Sequence, residues 1–291
     1  MSQRSLRRRH VWPMLVLALL GPPVVPAGLC AQEEVLLELL GTAGEWLRYV
    51  HRNDLVVELP DDLGGPAVTR TSIRLLHRVV DASPESIDYL TTLEEVTLEV
   101  QPPPPELPDL RGMQGLAFSH TSDRSGRTLG LRLPGQDVEA GPGLMEQVEN
   151  WLGQLGFPLL PDRAVSVGEA WTETVRVPAM ALGLVVDYDV VQTRSVRLKE
   201  IRSTRRSRVA FLEVVTSWEP APEPGGAGGG VVSLRGTAEQ IVRFDIPGGR
   251  FLGSTGSSDL EIVLTPAGAA QYVAVRAQGR QLTGLSASSD D

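Results

Sequence analysis

The chain has 291 residues, a formal net charge of −9 and 42% hydrophobic residues, enough for one large domain or two small ones. The acidic balance disfavours a general affinity for nucleic acid. The only cysteine is Cys30, so the sequence after it offers no disulfide and no thiolate chemistry.

Residues 1–31 have the pattern of a cleaved secretory signal peptide. A basic start is followed by an apolar stretch from Val11 to Leu20 and then by a segment rich in Gly and Pro. The prolines in this region disfavour a membrane-spanning helix. We expect cleavage after Ala31 and an exported protein, periplasmic or extracellular, with no transmembrane span in the mature chain. The alternative is lipid attachment at Cys30, whose preceding residues match a lipobox only in part.

Cleavage after Ala31 would make the net charge more negative. Removing four arginines from the basic start leaves 23 Lys and Arg against 36 Asp and Glu, a balance of −13.

Alternation of apolar and polar residues is the dominant pattern downstream, and it predicts strands with one buried and one solvated face. The clearest runs are Glu45–Arg52, Thr91–Val100, Ser195–Ile201 and Gln240–Ile246. Short polar segments predict hairpin turns at Asp81–Glu85, Asp123–Gly126 and Pro247–Gly249. We therefore expect long antiparallel strands joined by short turns.

One segment has helical spacing instead. Leucine and valine recur at positions 144, 148, 152 and 155, after a Gly-Pro-Gly start and before Gly156. This spacing predicts a helix over 143–155 that packs on the sheet.

Two stretches suggest an internal duplication. Gly44-Glu45-Trp46 is echoed by Gly168-Glu169-Ala170-Trp171 at an offset of 124, and Arg127–Gly130 is echoed by Arg250–Gly253 at an offset of 123. Residue identity is thin, so coincidence is the alternative. The expected organisation is a signal peptide at 1–31, a β-unit at 32–140, a helix and connection at 141–158, a second β-unit at 159–285 and a disordered tail at 286–291.

The segment FPLLPDRAVSVGEAW at 157–171, with Gly236–Glu239, Phe244-Asp245 and Gly249-Arg250 downstream, resembles an uncharacterised family of exported bacterial β-rich proteins, a domain of unknown function. Long antiparallel strands with one helix behind a signal peptide also resemble the lipoprotein-carrier half-barrel. That resemblance implies a hydrophobic groove for acyl chains.

We find no recognisable catalytic or metal site and nothing that implies a cofactor. His51, His77 and His120 each stand alone on their own strand or hairpin without metal-ligand spacing, and we expect them to be surface or half-buried residues. No Gly-x-Ser-x-Gly elbow is present, because Gly253–Gly256 lies between two β runs.

The most unusual charge pattern lies between Arg194 and Arg208, where seven cations face one acid, Glu200. Such a cluster could hold an anionic headgroup, a polyanionic glycan or an acidic partner. The alternative is a solubilising edge that discourages aggregation between strands. The residues expected to converge on an anion are Arg197, Lys199, Arg205 and Arg206.

The expected fold is all-β, a strongly curved antiparallel sheet or incomplete barrel with one helix against its concave face. The leading function is non-enzymatic binding of a lipid or another apolar ligand in that concavity. The alternatives are a structural or interaction module of the cell envelope, with a protein partner and no small ligand, and an enzyme of unknown type. A pocket lined by Leu, Val and Trp favours binding, a filled interior favours the module, and converging carboxylates and histidines favour the enzyme.

Overall fold

A computed structural model describes residues 33–59, 65–103, 114–132, 157–178, 189–205, 207–220, 231–264 and 273–289. The predicted signal peptide and the predicted helix over 143–155 lie outside these residues. No helix able to span a membrane occurs in the part of the chain that the structure describes.

The described residues form thirteen strands. They are β1 (Glu34–Val35), β2 (Trp46–Glu58), β3 (Ala67–Ala82), β4 (Ser86–Gln101), β5 (Ala117–Asp123), β6 (Thr128–Arg132), β7 (Val165–Ser166), β8 (Ala170–Pro178), β9 (Asp189–Ser203), β10 (Arg208–Pro220), β11 (Val231–Asp245), β12 (Arg250–Leu264) and β13 (Val273–Ser288). The four predicted strands correspond to parts of β2, β4, β9 and β11, with Glu45 and Ile246 each one residue outside the observed strand, and the three predicted turns connect β3 to β4, β5 to β6 and β11 to β12. These predictions are confirmed.

Eleven strands form one antiparallel sheet in the order β6-β5-β4-β3-β2-β13-β12-β11-β10-β9-β8, and β1 pairs with β7 in a separate small sheet. The ladder between β13 and β2 runs from Arg276↔Glu58 to Ser288↔Leu47 and joins the two halves of the sheet. In the described residues the end strands β6 and β8 pair with one neighbour each, so the sheet is not closed into a barrel. The prediction of an all-β, antiparallel and incompletely closed fold is confirmed.

The C-terminal boundary differs from the prediction. Strand β13 continues to Ser288, and the Ser289 N–H donates to the Trp46 carbonyl at 3.1 Å. The expected disordered tail at 286–291 therefore begins too early. Its small polar residues carry no hydrophobic signal, and their order comes from backbone hydrogen bonds to β2, a partner that local sequence does not reveal.

The two runs β2–β6 and β8–β12 repeat the same strand order along the sheet. In that order β2 is fifth and β8 is eleventh, so the runs are displaced by six strands with β13 between them. Trp46 and Trp171 lie on the first strand of each run. Gly44 and Gly168 precede them with φ of +90° and +93°, a conformation that glycine adopts without strain. These correspondences agree with an internal duplication, which stays a prediction.

Burial alternates along the long strands, so one face of the sheet carries the core. We call it the inner face and the opposite one the outer face. Four residues from β1, β7 and the adjoining segments pack on the inner face of β9–β12, namely Val35, Leu37, Leu160 and Val165. They bury large apolar side chains of the sheet completely, among them Leu198, Leu212 and Phe244.

The segment that follows β1 is hydrogen-bonded to both halves of the sheet. The Leu39 N–H donates to the Arg124 carbonyl in the β5–β6 turn, and the Leu40 N–H donates to the Gly249 carbonyl in the β11–β12 turn, both at 2.8 Å. Gly249 has φ +55°, and a Cβ there would lie 2.3 Å from Leu40 Cγ. Only glycine therefore fits at this crossing.

Candidate functional site: the inner face of the sheet

An aromatic row crosses the part of the inner face that lies under the covering segments. Phe157 stacks on Phe251 with ring centres 4.3 Å apart, and each ring also meets a further aromatic edge, from Tyr49 and Phe244 respectively. The Tyr49 hydroxyl donates to the Phe251 carbonyl at 2.9 Å. This end of the inner face is thus filled by the protein itself.

A histidine cluster continues the row onto β3–β5. Thr91 Oγ1 lies 2.8 Å from His77 Nδ1 and 3.4 Å from His120 Nδ1, and Tyr89 stacks on His120. On the same face, between the adjacent strands β2 and β13, His51 Nδ1 lies 2.9 Å from Thr283 Oγ1.

The structure overturns the expectation that these histidines are surface or half-buried, because all three are buried. Each occupies an inner-facing position of its strand, where a threonine hydroxyl on a neighbouring strand satisfies a ring nitrogen. Burial lowers the pKa of His51 to about 4 and of His120 to about 4. Burial, with His120 nearby, lowers the pKa of His77 to about 3. The imidazoles are therefore neutral at neutral pH.

The cluster does not provide an accessible reactive centre. Thr91 is 0% exposed, so a substrate cannot reach the hydroxyl that lies between the two imidazoles. Among the described residues, no group of three or more His, Cys, Asp or Glu side chains is placed to hold a metal ion.

A polar belt crosses the middle of the inner face. Its buried members come from five neighbouring strands, and they are Gln192, Thr216, Gln240, Ser254 and Thr283. Gln281 Nε2 donates to Gln240 Oε1 at 2.7 Å across the intervening strand β12. Burial of such polar groups costs free energy unless they are hydrogen-bonded, and Ser254 Oγ is buried without a partner among the described residues. The belt lies between two apolar zones.

The edge of the belt carries a largely buried ion pair. Arg194 Nη1 lies 3.1 Å from Glu173 Oε1, and the two side chains are only 13% and 10% exposed. Both also hold the covering segment, since Arg194 donates to the Phe157 carbonyl at 3.4 Å and Glu173 accepts from the Leu159 N–H at 3.3 Å. We infer that this ion pair anchors the covering segment around Phe157 and Leu159 to the sheet.

Beyond the belt lies a second apolar zone, which we call the apolar end. Val190, Leu234, Ile262, Val275 and Ala277 are buried there, and six more apolar side chains pack around them but stay partly exposed. The six are Leu55, Val57, Leu59, Trp218, Leu260 and Val273.

Glycines at inner positions of the neighbouring strands indicate close approach of the strands on this face. A Cβ at Gly236 would lie 2.4 Å from the Asp259 carbonyl oxygen, and one at Gly256 would lie 2.6 Å from Gln240 Cβ. Crowding of this kind, relieved by glycine, is typical of a sheet that curves towards the crowded face.

A cleft of about 540 Å³ opens beside the apolar end, where the β10–β11 ladder stops at Trp218↔Gly236. It is lined by Ser217, Trp218 and Glu219 of β10 and by Arg235, Gly236 and Thr237 of β11. Trp218 Nε1 is buried and has no hydrogen-bond acceptor among the described residues.

The residues predicted for anion binding lie on another surface. Arg197 and Lys199 reach Glu213 at 3.5 and 3.4 Å, and Arg205 is exposed in the β9–β10 turn. Arg206 lies outside the described residues. Two further cations of this surface, Arg202 and Arg243, were not among the predicted residues, because their placement depends on a β-bulge and on strand neighbours.

No family model and no curated protein matches the chain. Among solved structures it is similar to a chain titled "Lipid-protein interactions in lipovitellin", with 12% sequence identity and a TM-score of 0.48. The match covers 85% of this chain and 25% of the lipovitellin chain, so this chain spans about a quarter of that protein's length. At this level of similarity we take nothing from it about function.

Proposed function

We propose that this chain is an exported, non-enzymatic binding protein that holds a lipid or another apolar ligand at the apolar end of its inner face. The observation that carries the proposal is the set of six partly exposed apolar side chains on that face of an open sheet. Burial of each by a ligand would contribute up to about 1.5–3 kcal/mol for a full side chain. The resemblance to the lipoprotein-carrier half-barrel also supports it.

The contrast between the two ends of the inner face adds support. The covered end is filled by β1, β7 and Phe157, whereas the described residues place no comparable second layer over the apolar end. Trp218 adds a partly exposed aromatic surface beside the cleft.

Native mass spectrometry of protein purified from its own host tests ligand and export together. We expect a mature chain that begins at Gln32 and carries a non-covalent lipid adduct. A chain without adduct would favour the envelope module, and an acylated Cys30 at the N-terminus would replace a soluble exported form by a lipid-anchored one.

A matched pair of substitutions tests the location. Val57 is half-buried on the inner face, whereas its neighbour Val56 is 40% exposed on the outer face. Val57→Thr puts a hydroxyl into the proposed site at constant shape, and we expect affinity for a fluorescent fatty acid to fall about threefold to thirtyfold. Val56→Thr is the control and should bind like the wild type. Equal affinities in all three proteins would contradict the assigned site.

A further inference from the structure

The β9–β10 hairpin gathers its cations on the outer face through a β-bulge. The register shifts between Phe211 and Leu212, so Leu198 pairs with Leu212, Glu200 pairs with Phe211, and Lys199 is the extra residue. Strict alternation after Arg197 would direct position 202 to the inner face. The bulge reverses this, and Arg202 lies over the Phe211 ring at 4.3 Å.

The resulting surface is strongly basic on an acidic protein. Its five cations are exposed, and they are Arg197, Lys199, Arg202, Arg205 and Arg243. Two carboxylates share the surface. Glu213 forms ion pairs with both Arg197 and Lys199, and Glu200 lies 2.6 Å from Arg202. Asp245, farther along β11 from Arg243, lies 3.8 Å from Arg250. The local surplus is positive, although the whole chain has a net charge of −9.

An aromatic ring lies among these cations. Phe211 is half-buried on the outer face and pairs in register with Arg243 on one side and Glu200 on the other. Basic side chains around an aromatic ring are typical of surfaces that meet a lipid interface, where the ring enters the headgroup layer and the cations meet phosphates.

We propose that this basic surface docks the protein onto an anionic lipid membrane. The surface is on the opposite face of the sheet from the apolar end, so it is independent of the inner-face ligand. Each cation near an anionic bilayer contributes about 1 kcal/mol, or roughly fivefold in affinity, and the contribution is screened over about 8–10 Å at physiological salt.

A gain-of-function variant tests the proposal without risk to the fold. Glu213→Gln removes the carboxylate shared by Arg197 and Lys199. We expect it to raise affinity for phosphatidylglycerol-containing vesicles about fivefold at low salt, measured by co-sedimentation against pure phosphatidylcholine vesicles. The matched control is Glu95→Gln, which makes the same charge change on the outer face beside Arg74, 2.9 Å away. An equal gain in the control would overturn the proposal, because net charge alone would then explain the binding.

A loss-of-function set completes the test. Replacing Arg197, Lys199 and Arg202 by Ser should lower vesicle affinity roughly a hundredfold, whereas replacing Arg70, Arg74 and Arg276 by Ser should change it only severalfold. Both sets change only exposed residues of the outer face, so melting temperatures should stay close to that of the wild type. Wild-type and Glu213→Gln proteins that ignore anionic vesicles at low salt would overturn the proposal. Binding to heparin without binding to vesicles would overturn it in favour of a soluble polyanion.

Discussion

The three inner-face histidines are kept neutral by burial, and this has a consequence for stability. A charged imidazole would lose its hydration on the inner face, where each ring instead lies against a threonine hydroxyl and, for His77 and His120, against other rings. Folding therefore lowers the pKa of these three imidazoles well below its ordinary value.

We predict that the protein loses stability on mild acidification. An unfolded histidine has a pKa near 6.5, whereas the folded values are about 4, 3 and 4 for His51, His77 and His120. Below about pH 6.5 the unfolded state binds more protons, so the stability that is present above that pH is lost progressively towards the folded values. Each histidine adds a slope of up to about 1.4 kcal/mol per pH unit. Urea unfolding between about pH 7 and pH 5, above the ordinary carboxylate range, measures it.

His77→Phe serves as the control for this prediction. It removes one titrating group from the aromatic environment of Tyr49 and Tyr89 and should lower the slope by about a third. A wild-type free energy of unfolding that is flat over this range, or an unchanged slope in the variant, would contradict the account.

At the scale of elements, the two Gly-Glu turns before β2 and β8 share one hydrogen-bond pattern. Glu45 Oε2 accepts from the Thr42 N–H at 3.1 Å, and Glu169 Oε2 accepts from the Ser166 N–H at 3.0 Å. The second oxygen differs in its partner. Glu45 Oε1 accepts from Arg250 on β12, whereas Glu169 Oε1 accepts from Arg163, six residues away.

We predict that Glu45→Gln destabilises the protein more than Glu169→Gln. Glu45 and Arg250 are each 16% exposed and join elements 205 residues apart, so loss of the charge leaves a desolvated arginine with a weakened partner. We expect a loss of about 2 kcal/mol for Glu45→Gln. The Glu169 pair is more exposed and local, and its loss should be smaller. Chemical denaturation compares the two, and equal losses would contradict the prediction.

At the scale of the whole molecule, the seam between β13 and β2 decides whether the halves behave as one body. It pairs the last strand of the chain with one of the first over most of the length of both. His51 and Thr283 add a buried side-chain contact across it.

We predict that the halves unfold together. A chain that starts at Gln32 and keeps only Trp46 reports on the first half, and one that keeps only Trp218 reports on the second, with the other tryptophans replaced by Phe. The seam couples the two runs, so in each variant the urea midpoint measured by fluorescence should coincide with the midpoint measured by circular dichroism. Fluorescence transitions that separate from the circular dichroism transition in either variant would mean independent halves.

Local chemistry in the sequence was enough to predict four of the thirteen described strands and three of the turns. The alternation in Glu45–Arg52 and the Pro-Gly-Gly at 247–249 predict β2 and the β11–β12 turn, because side-chain period and turn conformation depend on adjacent residues. The concentration of positive charge between Arg194 and Arg208 is likewise a property of composition alone.

Contacts between distant segments were decided only by the tertiary structure. Strand β13 pairs with β2, Thr91 lies between His77 and His120, and a bulge at Lys199 turns Arg202 to the outer face. None of these has a local signature, because each depends on which strands become neighbours and in what register. The alternating pattern requires that every strand bury one face, but it does not determine which strand lies beside which. That choice is made by packing and backbone pairing across the whole sheet.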